Sequence, residues 1–400
     1  MFDNKKQLGQ FFTKNSDYIL NNFSKYVKNK IITDPFAGDG DLLIWAKKNG
    51  ARKIIGYDMD KKYVDNKLIF LNDSINSPKE YKFVITNPPY LNINKADEDI
   101  KKNFLIKNNF EDLYHASLNS LLKSEEGIVI VPINFLSARN SRRIRNIFFS
   151  KFNIVEMNYF KHQVFPDTTY NVISFYYKKK RNPFDNKFTL KTHIYPEKNE
   201  IKFSLYKDYD WAIGGELFKL MRNQTNYLGI FRLTENDIKL NKGNKKIRAA
   251  YNHVKDIREY KISNDLYNAI SLNIIMLKAI DSGSESGKIA LENIKDYNID
   301  CLISKSSSRH MIYLIFKENI SISDQKKMIK LFNREINKMR ENYLSLFLTN
   351  YRDNDRKRIS FDFVYKFLNY LYSENLKANN KIQPFNFKYE LLDQQKSYSR

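Results

Sequence analysis

The chain has 400 residues, with 68 Lys and Arg against 45 Asp and Glu and a formal net charge of +23. One cysteine excludes a disulfide framework, and no Cys/His cluster suggests a metal centre, so no metal is expected. The basic excess predicts attraction to an anionic partner such as nucleic acid, but a Lys- and Asn-rich mixture is also typical of AT-rich coding DNA.

The first predicted strand, residues 31–33, runs into the turn Asp34-Pro-Phe-Ala-Gly-Asp-Gly40, and a helical pattern of apolar residues follows. Glycines in such a turn let the backbone approach a ligand closely. A second strand ends in Asp58, 18 residues after Gly40. A carboxylate at this spacing can accept hydrogen bonds from ribose hydroxyls, so we expect a cofactor that contains a ribose.

The same turn carries the acids Asp39 and Asp41 and lacks the third glycine of the dinucleotide fingerprint, with Leu43 in its place. Two acids would repel a pyrophosphate and attract a sulfonium or an ammonium group. A further acid, Asp73, falls where a third strand should end and could accept from an adenine amino group.

Asn87-Pro88-Pro89-Tyr90 follows the apolar run 81–86, which predicts a buried strand that the prolines end. An Asn carbonyl beside the carbonyl of Pro88, at the carboxyl edge of an α/β sheet, offers two acceptors to a substrate NH2 group. Tyr90 could lie against a planar ring. Taken alone, the four residues could equally be a turn.

In this order of motifs the chain resembles the S-adenosylmethionine-dependent amino-methyltransferases of DNA, over roughly residues 8–178. The matching segments are Leu8-Gly-Gln-Phe-Phe-Thr13, Asp34-Pro-Phe-Ala-Gly-Asp-Gly40, Asp58, Asp73, Asn87-Pro-Pro-Tyr90, Asp112-Leu-Tyr114, Gly127-Ile-Val-Ile-Val-Pro132 and Val164-Phe-Pro166. An Asn before Pro-Pro-Tyr implies methylation of adenine N6. The resemblance therefore implies an N6-adenine DNA methyltransferase that uses S-adenosylmethionine.

The resemblance also implies roles for individual residues. Asn87, Pro88 and Tyr90 would be catalytic, and Tyr90 and Phe165 would stack on a flipped target base. The implied cofactor contacts are Gly9, Gln10, Phe11, Thr13, Asp34, Gly38, Asp58, Met59, Asp73 and Asn87.

Basic clusters recur along the chain, and each is more typical of a solvated face than of a base-reading surface. Arg139, Arg142 and Arg143 differ, because they follow a strand whose carboxyl end should lie beside the catalytic loop. The residues considered for DNA contact are Arg139, Arg142, Arg143, Lys179, Arg309, Arg356 and Arg358.

The predicted fold is α/β. A Rossmann-like, seven-stranded methyltransferase domain (1–180) precedes a mixed, largely helical recognition region (181–378) and a polar tail (379–400). Helices are predicted near 263–280, 324–349 and 360–376. The polar first 25 residues and the lack of a long apolar span predict an intracellular, DNA-associated protein without a membrane segment.

The expected partners are double-stranded DNA and, if the chain belongs to a restriction-modification system and is not a solitary modification enzyme, a cognate restriction endonuclease. Two alternatives stay open at this point. One is a methyltransferase acting on a ribosomal RNA base or a protein glutamine through the same Asn-Pro-Pro-Tyr site. The other is a non-catalytic DNA specificity subunit.

Overall fold

The structure, a computed structural model of the chain, describes residues 13–166, 170–284, 287–350 and 356–376. The predicted cofactor contacts Gly9, Gln10 and Phe11 and the predicted polar tail lie outside these residues. The described helices are α1 Ser16–Ile19, α2 Ser24–Val27, α3 Asp41–Lys48, α4 Glu98–Ile100, α5 Leu113–Ser120, α6 Asn134–Ser137, α7 Arg142–Lys151, α8 Gly215–Met221, α9 Glu235–Leu240, α10 Asn264–Ser271, α11 Ile322–Tyr343 and α12 Phe361–Asn375.

The described strands have these bounds: β1 Ile31–Asp34, β2 Lys53–Asp58, β3 Ile69–Leu71, β4 Tyr81–Thr86, β5 Ser124–Pro132, β6 Phe152–Phe160, β7 Val172–Lys179, β8 Lys187–Tyr195, β9 Asn199–Tyr206, β10 Phe231–Arg232, β11 Lys242–Tyr251, β12 His253–Ile262, β13 Ile275–Lys278, β14 Ile280–Asp281, β15 Ala290–Asn293, β16 Cys301–Ile303, β17 Met311–Ile315, β18 Thr349–Asn350 and β19 Lys357–Arg358.

One sheet of the described residues has nine strands in the order β3-β2-β1-β4-β5-β7-β6-β8-β9. The first five of these are parallel neighbours, and β7 is antiparallel to both β5 and β6. The predicted Rossmann-like α/β fold is confirmed, but β8 and β9 extend the sheet beyond the seven strands expected. The sequence pattern indicates strands there, yet the choice of a pairing partner depends on distant residues.

The central strands are buried on both faces, which explains their continuous apolar runs. Phe83 and Ile85 of β4 pack on one side of the sheet with Trp45 of α3. Val84 packs on the other side with Phe148 of α7. Helices thus cover both faces of the sheet, and this packing fixes the position of its carboxyl edge.

The chain divides into two compact units. The first carries the nine-stranded sheet, extends to Leu220 and includes 280–289 and 337–359, while the second contains 221–279, 290–336 and the residues from Ser360 onward. The boundary predicted at residue 180 divides the chain by function, and it stays a prediction. In the structure, β8 and β9 continue the sheet of the first unit past that position.

The second unit is mixed and only partly helical. It holds a sheet in the order β10-β17-β13-β15 and another in the order β12-β11-β16. The predicted helix at 263–280 is wrong in its second half, since α10 ends at Ser271 and β13 pairs with β15 and β17. Periodicity alone cannot distinguish a short, fully buried strand from a helix. Cys301, the single cysteine of the chain, lies buried in β16.

Candidate active site

A cleft of about 850 Å³, part of it open to solvent, lies at the carboxyl ends of β1, β2 and β4. The strand order reverses between β1 and β4, and ligands of open α/β sheets bind at such a reversal. Seven of the predicted cofactor contacts line this cleft: Thr13, Asp34, Gly38, Asp58, Met59, Asp73 and Asn87.

Asp34 ends β1 and is almost completely buried, with 1% of its surface exposed. Its Oδ1 accepts hydrogen bonds from the Phe36 N–H at 3.0 Å and from the Thr86 hydroxyl at 2.7 Å. Burial raises the pKa of Asp34 to about 7, although these two hydrogen bonds act in the opposite direction. The carboxyl group therefore titrates near neutral pH beside the cleft.

Asp58, at the end of β2, fixes the glycine turn. One oxygen accepts from the Gly38 N–H and the other from the Asp60 N–H, each at 2.8 Å. Gly38 has φ +49° and Gly40 φ +82°, a region that favours glycine, so the turn needs both residues. Burial raises the pKa of Asp58, and the backbone hydrogen bonds partly oppose this effect.

Asp73 closes the next turn after β3. Its carboxylate accepts from the backbone N–H groups of Ile75 and Asn76 at 3.1 Å and from the Asn76 side chain at 2.8 Å. Met59 is 45% exposed and presents a polarisable thioether to the cleft.

An apolar wall also lines the cleft, and the sequence did not predict it. It is formed by Ile75, Ile100, Phe104 and Leu113. Ile100 ends α4, and Phe104 lies in the π-helical turn Lys101–Ile106. The spacing of four between these two apolar residues is the signal that could have indicated the wall, but the charged residues around them obscure it. Together with Met59, this wall gives the cleft an apolar part of its lining.

Asn87 lies directly after β4, with its amide held at both ends. Its Nδ2 donates to the Thr13 hydroxyl at 3.2 Å, and its Oδ1 accepts from the Tyr90 hydroxyl. Tyr90 also donates to the backbone oxygen of Ile130 at 2.8 Å. The oxygen and nitrogen of the Asn87 amide are thus oriented by their neighbours.

The Tyr90 ring is not part of the cleft lining in this conformation. The ring meets Tyr114 edge-on, with centroids 6.1 Å apart, and burial raises the pKa of Tyr90 well above the ordinary value, so that the hydroxyl stays a donor. Pro88 is buried between Asn87 and Pro89, both of which line the cleft.

Phe165 is only 2% exposed and packs in the hydrophobic core. A ring covered in this way is not accessible to a base in the conformation described. The sequence pattern gives no sign of this burial, because Val164-Phe165-Pro166 reads as a loop.

Arg139, Arg142 and Arg143 lie together along an open groove that Glu111, Asn140 and Asn146 also line. Arg142 pairs with Asp210 at 3.0 Å, and Arg143 donates to the Asn109 backbone oxygen at 2.7 Å. The groove follows β5, whose carboxyl end lies on the same edge of the sheet as Asn87.

The other four predicted DNA contacts are not brought to this groove. Lys179 ends β7, which is antiparallel to β5, so it lies at the opposite edge of the sheet from Asn87. Arg309 donates to carbonyl oxygens of its own loop, those of Ser306 and Ser308. Arg356 is exposed, and Arg358 lies in the short β19.

The cleft suits a ligand with a cationic end and a planar, apolar end. Acids lie around the glycine turn, where an ammonium or sulfonium group would be favoured, and the apolar wall lies near Asp73. These features fit S-adenosylmethionine. Within the described ranges, no three His, Cys, Asp or Glu side chains are grouped to hold a metal ion, and no helix is long and apolar enough to cross a membrane.

Residues 7–165 match the family model of the Eco57I restriction-modification methylase. No curated protein matches the chain in sequence.

Three similar solved structures come from restriction-modification systems. The type IIL enzyme MmeI in complex with DNA is 11% identical, with a TM-score of 0.49, and the match covers 91% of this chain and 64% of that one. The type IIG restriction endonuclease BpuSI is 10% identical, with a TM-score of 0.42 and coverage of 88% and 59%. The type I methyltransferase subunit from Streptococcus thermophilus is 15% identical, with a TM-score of 0.32 and coverage of 46% and 47%.

The match therefore covers between 47% and 64% of the length of these three proteins. Residues 7–165 are thus similar in sequence to the restriction-modification methylases of the Eco57I family, and S-adenosylmethionine is the expected cofactor.

Proposed function

We propose that the chain transfers a methyl group from S-adenosylmethionine to the N6 amino group of an adenine flipped out of duplex DNA. The observation that carries this proposal is the oriented amide of Asn87 at the end of the cofactor cleft. Its oxygen lies at the carboxyl edge of β4, where an acceptor is needed for a substrate NH2 group.

The chemistry requires geometry more than a strong base. An exocyclic amine is a poor nucleophile, because its lone pair is delocalised into the ring. The Asn87 oxygen and the Pro88 carbonyl would accept the two amino hydrogens, localise the lone pair and stabilise the charge that develops on nitrogen. S-adenosylmethionine supplies the activated methyl group. The N–C bond forms as the C–S bond breaks, S-adenosylhomocysteine is left as the thioether product, and the surplus proton on N6 passes to solvent.

The residues around the cleft would hold the cofactor. The ammonium and carboxylate end would lie near Thr13, Asp34 and Gly38, together with Gly9, Gln10 and Phe11. Asp58 would accept from the ribose hydroxyls. The adenine ring would lie between Met59 and the apolar wall, with its amino group toward Asp73.

The target base would stack on Tyr90 and Phe165. Phe165 would have to leave its buried position to do so, and the Tyr90 ring would have to become accessible while its hydroxyl keeps the hydrogen bond to Asn87. Stacking on aromatic rings would offset the cost of removing a base from the duplex.

The groove of Arg139, Arg142 and Arg143 would contact phosphates near the catalytic loop. The region 181–378 would recognise the target sequence. A cognate restriction endonuclease and an intracellular, DNA-associated location belong to this proposal.

A transfer assay with tritium-labelled S-adenosylmethionine tests the function. We expect label in duplex DNA as N6-methyladenine. Label in ribosomal RNA or in protein glutamine instead would overturn the proposed substrate. Cofactor binding without any transfer would favour a non-catalytic specificity subunit. Long-read sequencing of DNA from cells that express the chain would identify the modified base, motif and strand together.

A further inference from the structure

A basic β-hairpin in the second unit forms a surface that the cleft does not explain. Strands β11 and β12 contain seven Lys and Arg residues and only two acids. All seven basic residues are exposed: Lys242, Lys245, Lys246, Arg248, Lys255, Arg258 and Lys261. β12 is an edge strand of its sheet.

Two lysines face each other across the two strands. Lys246 is directly opposite Lys261, and Arg248, two residues along, lies on the same face opposite Glu259. Like charges in directly opposed positions destabilise a strand pair. Arg258 forms an ion pair with Asp256 at 2.8 Å on the same strand, and this pair does not involve Lys246 or Lys261. An anion lying across the face would relieve the repulsion between Lys246 and Lys261.

The charged face cannot turn inward. Ile247, Ala249 and Ile262 on the other face are buried, and they pack with Leu266 and Ile270 of α10. Because side chains alternate along a strand, this packing fixes Lys246, Arg248 and Lys261 toward solvent.

The hairpin turn is anchored to the loop 304–310. The Lys305 N–H donates to the Asn252 side-chain oxygen, and the Asn252 N–H donates to the Ile303 oxygen, both at 2.9 Å. Arg232 donates to the Ser306 and Ser308 carbonyl oxygens, and these two hydrogen bonds fix the loop to β10. The rings of His253 and His310 are 5.9 Å apart.

The hairpin and the adjoining loop thus present a set of exposed cationic and polar side chains. We call it the hairpin surface: Lys246, Arg248, His253, Lys255, Lys261, Lys305 and Arg309.

We propose that the hairpin surface binds the phosphate backbone of duplex DNA, as a second contact distinct from the cleft. Ten-residue strands span about 30 Å, close to one helical turn of DNA, and a two-stranded ribbon fits the major groove. The charge of the surface is complementary to phosphate. The choice of duplex DNA rests on the proposed function.

The test is the salt dependence of duplex binding by the full chain saturated with S-adenosylmethionine. The variant carries Lys246→Ala, Arg248→Ala and Lys261→Ala together. The control carries Lys317→Ala, Lys326→Ala and Lys330→Ala, three exposed lysines of the same unit. Fluorescence anisotropy with a labelled duplex would be recorded from about 50 to about 200 mM salt.

Each lost phosphate contact should reduce the slope of log K against log[salt] by about 0.9, so the hairpin variant should lose about 2 to 3 in slope. The control should keep the wild-type slope. An unchanged slope in the hairpin variant would overturn the proposal, and so would weaker binding of RNA with unchanged binding of duplex DNA.

The same titration in an Asn87→Ala background separates this proposal from the proposed function. Duplex binding would be measured there without methyl transfer. A chain that never methylates DNA would refute the proposed function alone, whereas an unchanged slope would refute the hairpin surface alone.

Discussion

The amide of Asn87 is held by two hydroxyl groups, and this arrangement makes the role of Tyr90 more than that of a stacking ring. Thr13 accepts from the amide nitrogen, and Tyr90 donates to the amide oxygen. Neither contact could be read from the Asn-Pro-Pro-Tyr sequence, which indicates a rigid turn but no side-chain orientation. We therefore treat the Tyr90 hydroxyl as a positioning group for Asn87.

Tyr90→Phe keeps the ring and removes this hydroxyl. We expect kcat for methyl transfer to fall about fivefold, since one hydrogen bond contributes about 1 kcal/mol, while the affinity for S-adenosylmethionine stays within about twofold. Tyr114→Phe is a matched control, because its buried hydroxyl contacts Ser141 at 2.9 Å and not Asn87. An unchanged or higher kcat in Tyr90→Phe would argue against positioning by the hydroxyl.

Asp34 predicts a pH dependence of stability. Its pKa is about 7 in the folded chain against an ordinary value of 3.8, so the folded state binds the proton more tightly than the unfolded state. The free energy of unfolding should therefore fall as the pH rises from about 4 to about 7. Asp34→Asn keeps an oxygen that can accept from Phe36 and Thr86 and has no titrating group.

Chemical denaturation of wild type and Asp34→Asn across this range measures the effect. We expect the variant to gain stability relative to wild type as the pH rises, by a few kcal/mol at most. A constant difference between the two proteins from pH 4 to pH 7 would show that Asp34 titrates at its ordinary value.

At the scale of elements, the turn after β1 depends on close packing against β2. A Cβ atom on Gly56 would lie 2.9 Å from side-chain atoms of Ala37, Leu43 and Ile69. Real Cβ atoms do not approach so closely, so the absence of a side chain at Gly56 lets the turn and α3 lie against the strand. This contact supports the position of Gly38 in the cleft.

Gly56→Ala should force the turn away from β2. We expect a loss of about 1 to 3 kcal/mol in stability and a weaker affinity for S-adenosylmethionine, which calorimetry can measure. Ile55→Val, a smaller change on the neighbouring residue, should cost at most about 1.5 kcal/mol and leave the affinity unchanged. Wild-type affinity in Gly56→Ala would mean that this packing does not position the cleft.

Local patterns predicted the elements that build the cleft. The strands that lead to Asp34, Asp58 and Asn87 are short apolar runs ended by turn residues. Each run and the turn after it are neighbours in the sequence, so a local pattern is enough to predict them. The apolar wall with Phe104 and the burial of Phe165 could not be predicted in this way. Both depend on contacts between segments that are far apart in sequence.

At the scale of the whole molecule, the chain returns to its first unit near its described end. Asn350 is fully buried and binds two distant segments. It exchanges hydrogen bonds with Asn134 of α6 at 2.8 and 2.9 Å, and with Asn171 before β7 at 2.7 and 2.9 Å. No periodic pattern in the sequence indicates that 337–359 belongs with the amino-terminal sheet.

Asn350→Ala keeps the backbone bonds to Asn134 but leaves the buried N–H and side-chain oxygen of Asn171 without their partners, at a cost of about 3 kcal/mol. Hydrogen exchange should show reduced protection at Asn171 and at the start of β7. Asn333→Ala is the control, since Asn333 similarly holds the Leu291 backbone in the second unit. Equal protection at Asn171 and at the start of β7 in Asn350→Ala and wild type would contradict this role.

The central claim is that the side-chain oxygen of Asn87 accepts a hydrogen bond from the amino group of a target adenine. The most direct measurement is the amount of N6-methyladenine formed in duplex DNA by wild type and by Asn87→Ala, each saturated with S-adenosylmethionine. We predict a loss of at least about 100-fold in methyl transfer, with cofactor affinity retained. Wild-type levels of N6-methyladenine from Asn87→Ala would contradict the account.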